Sequence, residues 1–319
     1  MNKIANSRRH RRFDIISVGE LLVDFISKDF ANSLYEAKDF KRLQGGSPAN
    51  LSMNMARLGN TVKLIATVGQ DDMGQYLLNC VESLAVDCTH LARIDTPTSL
   101  ILITRSKEVS NFEAYRAADC HITEDQLSES HLSECSLFHT TCFALSKAPA
   151  QQAILKGATF VAKTGGQLSI DANYAQKIWP NQEEAQSIVA QYCSLGALVK
   201  VSEVDWQRLY NDQFDHPETA AAHFLGMGAQ EVCITLGGEG CFVASQAESY
   251  FLPARKIEVK DSTGAGDAFW AGYLTAWLDG STLLDRAIAG RKMAELKLTC
   301  FGALPAQVAR QEIYQDLMT

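Results

Sequence analysis

The chain has 319 residues, 46% of them hydrophobic, 21% charged and 8% aromatic, with seven prolines and a formal charge of −8. That balance describes a folded globular chain and excludes a disordered or fibrous one; the acidic surplus excludes a surface that tracks nucleic-acid phosphates, which needs lysine and arginine gathered on one face. The length suits one large α/β core with a small insert, because chains split into further domains mainly beyond about 250–300 residues.

Residues 1–12 carry Arg8, Arg9, Arg11 and Arg12 around His10. No aromatic residue interleaves with them, so they read as a solvated basic tail rather than a nuclear or RNA-binding signal. No apolar stretch reaches the ~18 residues of a membrane span, and no signal-peptide core follows the basic start. The expectation is a soluble, cytoplasmic protein with neither a nucleic-acid nor a membrane partner. The nine cysteines are odd in number and contain no C-x-x-C pair, which suggests buried thiols rather than a disulfide framework or a zinc site.

The first ordered element is an apolar run at residues 13–19, closed by glycine, which predicts a buried strand. Similar runs follow at 63–68, 136–139, 168–171, 198–202 and 231–236, with amphipathic segments of about 10–16 residues between most of them. This alternation predicts an α/β fold with a doubly wound, mostly parallel sheet over residues 13–319. Two regions break it, about 21–44 and 97–118, where strand-like residues follow one another without a helix. They read either as a small separate sheet, placed like a lid over a substrate, or as an edge hairpin of the main sheet.

Chemistry concentrates in Asp261-Ser-Thr-Gly-Ala-Gly-Asp267, where a glycine turn feeds a helix. Such a turn presents backbone N–H groups and the positive end of the helix dipole to an anion. Asp267, in the first helical turn, is placed to take the proton of an attacking hydroxyl, although a plain capping carboxylate would read the same way. A second cluster is Gly45-Gly46-Ser47-Pro48-Ala49-Asn50. Ser47 suits an N-cap and Pro48 the first helical position of a helix over 48–58. Two glycines and an amide beside them suit close approach of a hydroxyl-bearing ligand. The run 157–164 imitates a Walker A loop, but Ala162 replaces the glycine required before Lys163, and a P-loop is rejected.

Taken together, the two clusters resemble the signature motifs of the ribokinase/fructokinase (PfkB-type) sugar kinases, and the resemblance runs from Phe13 to Pro305. It implies a Rossmann-like core with a β-sheet lid, ATP as donor and Mg²⁺ with it. It implies Asp267 as base and the backbone of Gly264, Ala265 and Gly266 as anion hole. Asp24 matches the family's sugar-hydroxyl carboxylate, with Gly45, Gly46 and Asn50 lining the same pocket. Lys200-Val-Ser202-Glu-Val-Asp205 resembles the segment that organises magnesium and phosphates. Thr235, Gly237 and Gly240 resemble the strand-to-loop segment beside the nucleotide, and Arg291 with Gly302 and Ala303 the adenine flank. The resemblance also implies a monovalent cation, K⁺, with Asp261 as contact, and a homodimer formed through the lid.

The segments 112–119, 137–139 and 171–179 resemble fructokinases and 2-keto-3-deoxygluconate kinases more than ribokinase or adenosine kinase. Fructose is the first choice of substrate, with 2-keto-3-deoxygluconate or another sugar or nucleoside as the alternative. Arg116 and Asn173 are further candidate sugar contacts, Arg116 through its fixed fork of donors. Ala175 stands where those relatives carry an arginine. A non-catalytic relative that only binds nucleotide or sugar would not need Asp267, and a dinucleotide oxidoreductase would need G-x-G-x-x-G after the first strand, which Gly19-Glu20-Leu21-Leu22 does not supply.

Overall fold

Ile15 and Ile16, adjacent in the first strand, are both fully buried and enter two different apolar clusters. Successive side chains of a strand point to opposite faces, so the sheet holding them is covered on both. The computed structural model describes residues 11–105, 111–300 and 304–317. Its strands are β1 (Phe13–Val18), β2 (Leu22–Phe30), β3 (Phe40–Gly45), β4 (Val62–Ile65), β5 (Thr67–Gly69), β6 (Ala92–Ile94), β7 (Leu100–Arg105), β8 (Phe112–Tyr115), β9 (Cys135–Thr141), β10 (Gln167–Asp171), β11 (Leu198–Ser202), β12 (Glu231–Thr235), β13 (Gly240–Ser245) and β14 (Ser249–Pro253).

Eight of these form one sheet in the order β14-β13-β12-β11-β10-β9-β1-β4. From β4 to β12 all neighbours are parallel, while β13 and β14 close one edge as antiparallel strands. One face is covered by the helices Ala150–Lys163, Gln182–Cys193 and Pro217–Gly226, through Ile154, Val161, Val189 and Phe224. The other is covered by Ser47–Arg57, Asp72–Glu82, Ala265–Leu278 and Leu283–Leu298, through Leu51, Leu77, Trp270 and Ala287. The doubly wound, mostly parallel α/β sheet expected from the sequence is present.

The single run expected at 63–68 is split. β4 belongs to the large sheet, whereas β5, beyond Ala66, pairs in parallel with β6. The apolar signal is continuous because β4 and β5 are both buried throughout.

The two regions that break the alternation build a separate four-stranded sheet, β3-β2-β7-β8. β2 pairs antiparallel with β3 and parallel with β7, and β7 antiparallel with β8. β1 leads into β2 through Gly19, Glu20 and Leu21, and only Gly46 separates the end of β3 from the helix Ser47–Arg57.

The helix Ala265–Leu278 is buried on nearly all sides, from Ala268 to Trp277, rather than along the one face that Gly272, Tyr273, Ala276 and Trp277 define. It packs against the helices Ser47–Arg57 and Leu283–Leu298 and, through Trp270 and Tyr273, against the sheet itself. At Gly272 an added Cβ would come within 2.6 Å of the Ala289 carbonyl oxygen, so glycine sets how closely the two long helices approach.

Candidate functional site

In an open parallel sheet, ligands bind beyond the carboxyl ends of the strands, near the point where strand order reverses. Here that point is β1, flanked by β4 and β9. Along the same edge Thr141 pairs with Asp171, Asp171 with Lys200, and Ser202 with Thr235.

Glu20, just past β1, is buried, and its Oε1 accepts the Ser47 N–H at 3.1 Å while Oε2 accepts the Thr141 hydroxyl at 2.9 Å. Burial pushes its carboxyl up to about 8, against the opposing effect of its own backbone N–H, of the Thr141 hydroxyl and of Arg116. Gly46 is the N-cap of the following helix, with φ of 101°. That left-handed backbone favours glycine, and a Cβ there would lie 2.2 Å from the Glu20 carbonyl oxygen. The helix therefore begins at Ser47, one residue earlier than expected, and Ser47 is not its cap. Instead the Ser47 hydroxyl donates to Asp267 Oδ1 at 2.6 Å. One turn on, Asn50 Nδ2 donates to Asp267 Oδ2 at 2.8 Å, and Asn50 Oδ1 accepts from Gln44 Nε2 at 3.1 Å. The two glycine-rich clusters thus meet at one carboxylate.

Asp267 is the third residue of its helix, which starts from Gly264 in the left-handed region at φ 73°. Burial pushes its carboxyl up to about 6; Asp171 adds to the rise, whereas Ser47, Lys200 and Asn50 hold it down. The Ala265 N–H donates back to the Ser262 carbonyl at 3.2 Å, closing the turn. Under the turn lies Lys200, whose Nζ is 3.3 Å from where a Cβ would stand on Gly266. That ammonium donates to Asp171 Oδ2 at 2.7 Å, and both side chains are buried. Burial alone would lower the Lys200 pKa, but Asp171, Asp205 and Asp267 together outweigh it and hold it above the ordinary lysine value. Asp171 Oδ1 is buried and has no hydrogen-bond partner among the described residues.

Ser202 caps the helix Glu203–Tyr210, accepting the Asp205 N–H at 3.1 Å and donating to Asp205 Oδ2 at 2.5 Å. Burial pushes Asp205 up to about 6, with Lys200 opposing. Thr235 ends β12, and Gly237 and Gly240 form the hairpin turn into β13, beside Glu203.

Asp24 sits on β2 opposite Leu43. A Cβ on Gly45 would lie 2.3 Å from its Oδ2, so the carboxyl rests directly on glycine backbone. Burial, and then the charge of Asp267, push Asp24 up to about 7. Asp24, Gln44, Asn50, Asp261, Gly264 and Lys297 line a common cleft of about 410 Å³, within the range of small-ligand pockets.

Three expected residues have partners within the protein. Arg116 is buried, donating through Nε and Nη2 to Asp119 Oδ2 at 2.9 and 2.6 Å and through Nη1 to Ser146, and lying over the Phe143 ring. Its fork is held inside the protein by the buried Asp119 three residues on. Asn173 Oδ1 accepts the Phe143 N–H at 3.4 Å. Arg291 donates to the Pro253 carbonyl at 3.1 Å and reaches Asp316 at 3.4 Å, joining β14 to the C-terminal segment. Gly302 and Ala303 lie outside the described residues, as do Arg8, Arg9 and His10. Glu20, Asp171, Gln44 and Lys297 were not singled out from the sequence.

The sequence matches the model of pfkB family carbohydrate kinases over residues 12–309. The chain belongs to that family. This carbohydrate kinase is 30% identical over 294 residues to an ATP-dependent 6-phosphofructokinase of Thermoanaerobacterium thermosaccharolyticum, covering 92% of this chain and 90% of that one. The fructokinase structure of Halothermothrix orenii superposes with a TM-score of 0.77 at 29% identity, over 91% of this chain and 100% of that one. An uncharacterized sugar kinase of Pyrococcus horikoshii, in complex with ATP, superposes at 0.81 with 24% identity, over 93% and 96% of the two chains. As a member of an ATP-using kinase family, the protein is a sugar kinase. Among the described residues no helix is long and apolar enough to cross a membrane.

Proposed function

We propose that this sugar kinase transfers the γ-phosphoryl group of ATP to a hydroxyl of fructose, with Asp267 as base. The observation that carries the proposal is the grip of Ser47 and Asn50 on both oxygens of Asp267, at a carboxyl whose pKa is about 6. A base poised near neutrality, fixed in orientation and set in the first turn of a helix, is what proton removal from a sugar hydroxyl requires. The hydroxyl gives its proton to Asp267 as the new O–P bond forms, the bond from the γ-phosphorus to the bridging oxygen breaks, and ADP leaves. Charge on the moving phosphoryl group is met by the Gly264–Gly266 turn and, beneath it, by the Lys200 ammonium.

Asp24, Gly45, Gly46 and Asn50 hold the sugar, and Asn173 closes the β10 side. The small sheet carrying Asp24 acts as a lid that excludes water. On the nucleotide side lie Ser202, Asp205, Thr235, Gly237 and Gly240. Asp171, with its orphaned Oδ1, and the lifted Asp205 suit a Mg²⁺ ion, which takes one or two carboxylates, phosphate oxygens and water. When bound, that ion neutralises phosphate charge. The exposed Phe30 and Tyr115 of the small sheet suit pairing of two lids in a homodimer, and sedimentation showing only monomer at micromolar concentration would remove that part. Nine free thiols fit the reducing cytoplasm.

Fructose is preferred on the segments shared with fructokinases. The test is ADP release from Mg-ATP over a panel of fructose, fructose 6-phosphate, 2-keto-3-deoxygluconate, ribose, tagatose and adenosine, with Asp267→Ala as control. Release that is greatest with fructose and lost in the variant is expected. Release greatest with another panel member would replace the substrate and keep the chemistry. Nucleotide binding without release on any sugar would favour the non-catalytic relative.

A further inference from the structure

Lys297 lies in the last turn of the helix Leu283–Leu298, where a lysine would ordinarily project into solvent and complement the helix dipole. Here it is only 8% exposed. Its Nζ stands 3.5 Å from Asp261 Oδ2. Its Cε is 3.9 Å from where a Cβ would project at Gly264. Asp261 Oδ1 accepts the Thr263 N–H at 3.0 Å. The N–H groups of Lys260 and Asp261 both approach the Leu298 carbonyl, at 2.8 and 3.4 Å. The segment leading into the Gly264–Gly266 turn is therefore bound to the end of this helix by backbone bonds and by one tethered ammonium.

The monovalent cation implied by the family resemblance would use Asp261. The donor set does not fit it, because a side-chain cation already faces the same carboxylate from a buried stem. A second cation beside Asp261 would meet a like charge at close range in a partly dehydrated site. We propose that Lys297 is a positioning residue whose ammonium takes the place of that ion, so that this kinase turns over without a monovalent-cation requirement. The proposal rests on the kinase reading above. A covalently attached cation is always present, holds the turn in register with Asp267, and bears no cost of capturing an ion from solution. Among the described residues the other cation on this cleft wall, Arg57, is held by the Pro305 carbonyl at 3.0 Å and Asn54 Oδ1 at 3.2 Å.

The experiment compares wild type and Lys297→Met in potassium, ammonium, sodium and tetramethylammonium chloride at equal ionic strength, reading ADP release with the best sugar and, separately, the melting midpoint. Wild type is expected to give the same rate in every salt within about twofold, since only general screening differs little between them. Its melting midpoint is expected not to distinguish potassium from tetramethylammonium. Lys297→Met is expected to lose about tenfold or more in tetramethylammonium, and to regain rate and melting midpoint in potassium or ammonium. A wild-type rate or midpoint that rises severalfold or by several degrees on adding potassium would overturn the proposal. So would a folded Lys297→Met that keeps wild-type rate in every salt. Should wild type release no ADP with any sugar, the kinase reading fails, while the melting comparison still decides the cation question; should the variant not fold, the wild-type salt series decides alone.

Discussion

The hydroxyl of Ser47 and the carboxylate of Asp267, 220 positions apart in sequence, lie 2.6 Å from one another, and this bond lowers the proton affinity of a carboxyl that burial raises. Ser47→Ala removes that restraint. The acid limb of the pH profile of kcat/KM, set by a base that must be deprotonated, is expected near pH 6 in wild type and higher in the variant. At pH 6 the variant should lose more than at pH 8, by about three- to tenfold. A limb that does not move on removing Ser47 would exclude Asp267 as the titrating base.

Asp24 keeps its proton in the folded protein up to about pH 7, against 3.8 for an ordinary aspartate. The fold therefore takes up a proton here: the stability linked to Asp24 is present at low pH and is lost as pH rises through this window. Asp24→Asn cannot titrate, so its melting midpoint should rise relative to wild type by a few degrees at pH 8 and little at pH 4. The same variant should raise the sugar KM. Equal shifts at both pH values would contradict the buried, proton-bound Asp24.

Gly45→Ala places a methyl group 2.3 Å from Asp24 Oδ2, and the carboxyl must move. Because the nucleotide side is remote from β3, the expected outcome is a sugar KM raised about tenfold or more with the affinity for ATP little changed, read by steady-state kinetics and by nucleotide titration without sugar.

Lys200→Met leaves Asp171 charged and buried without its cation. A loss of about 3–5 kcal/mol in unfolding free energy is expected. Lys200→Met with Asp171→Asn should restore most of that stability but not turnover, since the positive charge under Gly266 is still gone. Recovery of turnover in the double variant, by denaturant melts and rate together, would assign Lys200 a purely structural role.

Arg116→Ala separates two readings of one residue. Buried and paired with Asp119, the guanidinium should act on stability first, with a lower melting midpoint and recovery in Arg116→Met combined with Asp119→Leu. A raised sugar KM at unchanged melting temperature would restore Arg116 as a substrate ligand.

The elements were legible where one period dominated: five apolar runs announced β1, β9, β10, β11 and β12, and strand-like stretches without helices announced the second sheet. Local glycine chemistry exposed both clusters. Pattern could not show that they touch, since the Ser47–Asp267 bond depends on how two helices pack, and an N-cap serine reads identically to one that grips a distant carboxylate. The 63–68 run hid a change of sheet at Ala66 because both halves are buried. Nothing in the sequence marks Lys297, whose burial is decided by a loop more than thirty residues earlier. Arg116 and Asp119 stood three positions apart in plain view, but only the tertiary fold shows that the pair faces inward.

Between β3, whose neighbour β2 carries Asp24, and the helix that carries Ser47 and Asn50 there is a single residue, Gly46. Sheet and helix are thus joined through one residue. Whatever displaces the small sheet turns the two donors that lower the proton affinity of Asp267, and by reciprocity the protonation of Asp267 biases where that sheet rests. Occupancy of one wall of the cleft and the acidity of the other are then thermodynamically linked, readable as proton release or uptake when a ligand binds in weakly buffered solution.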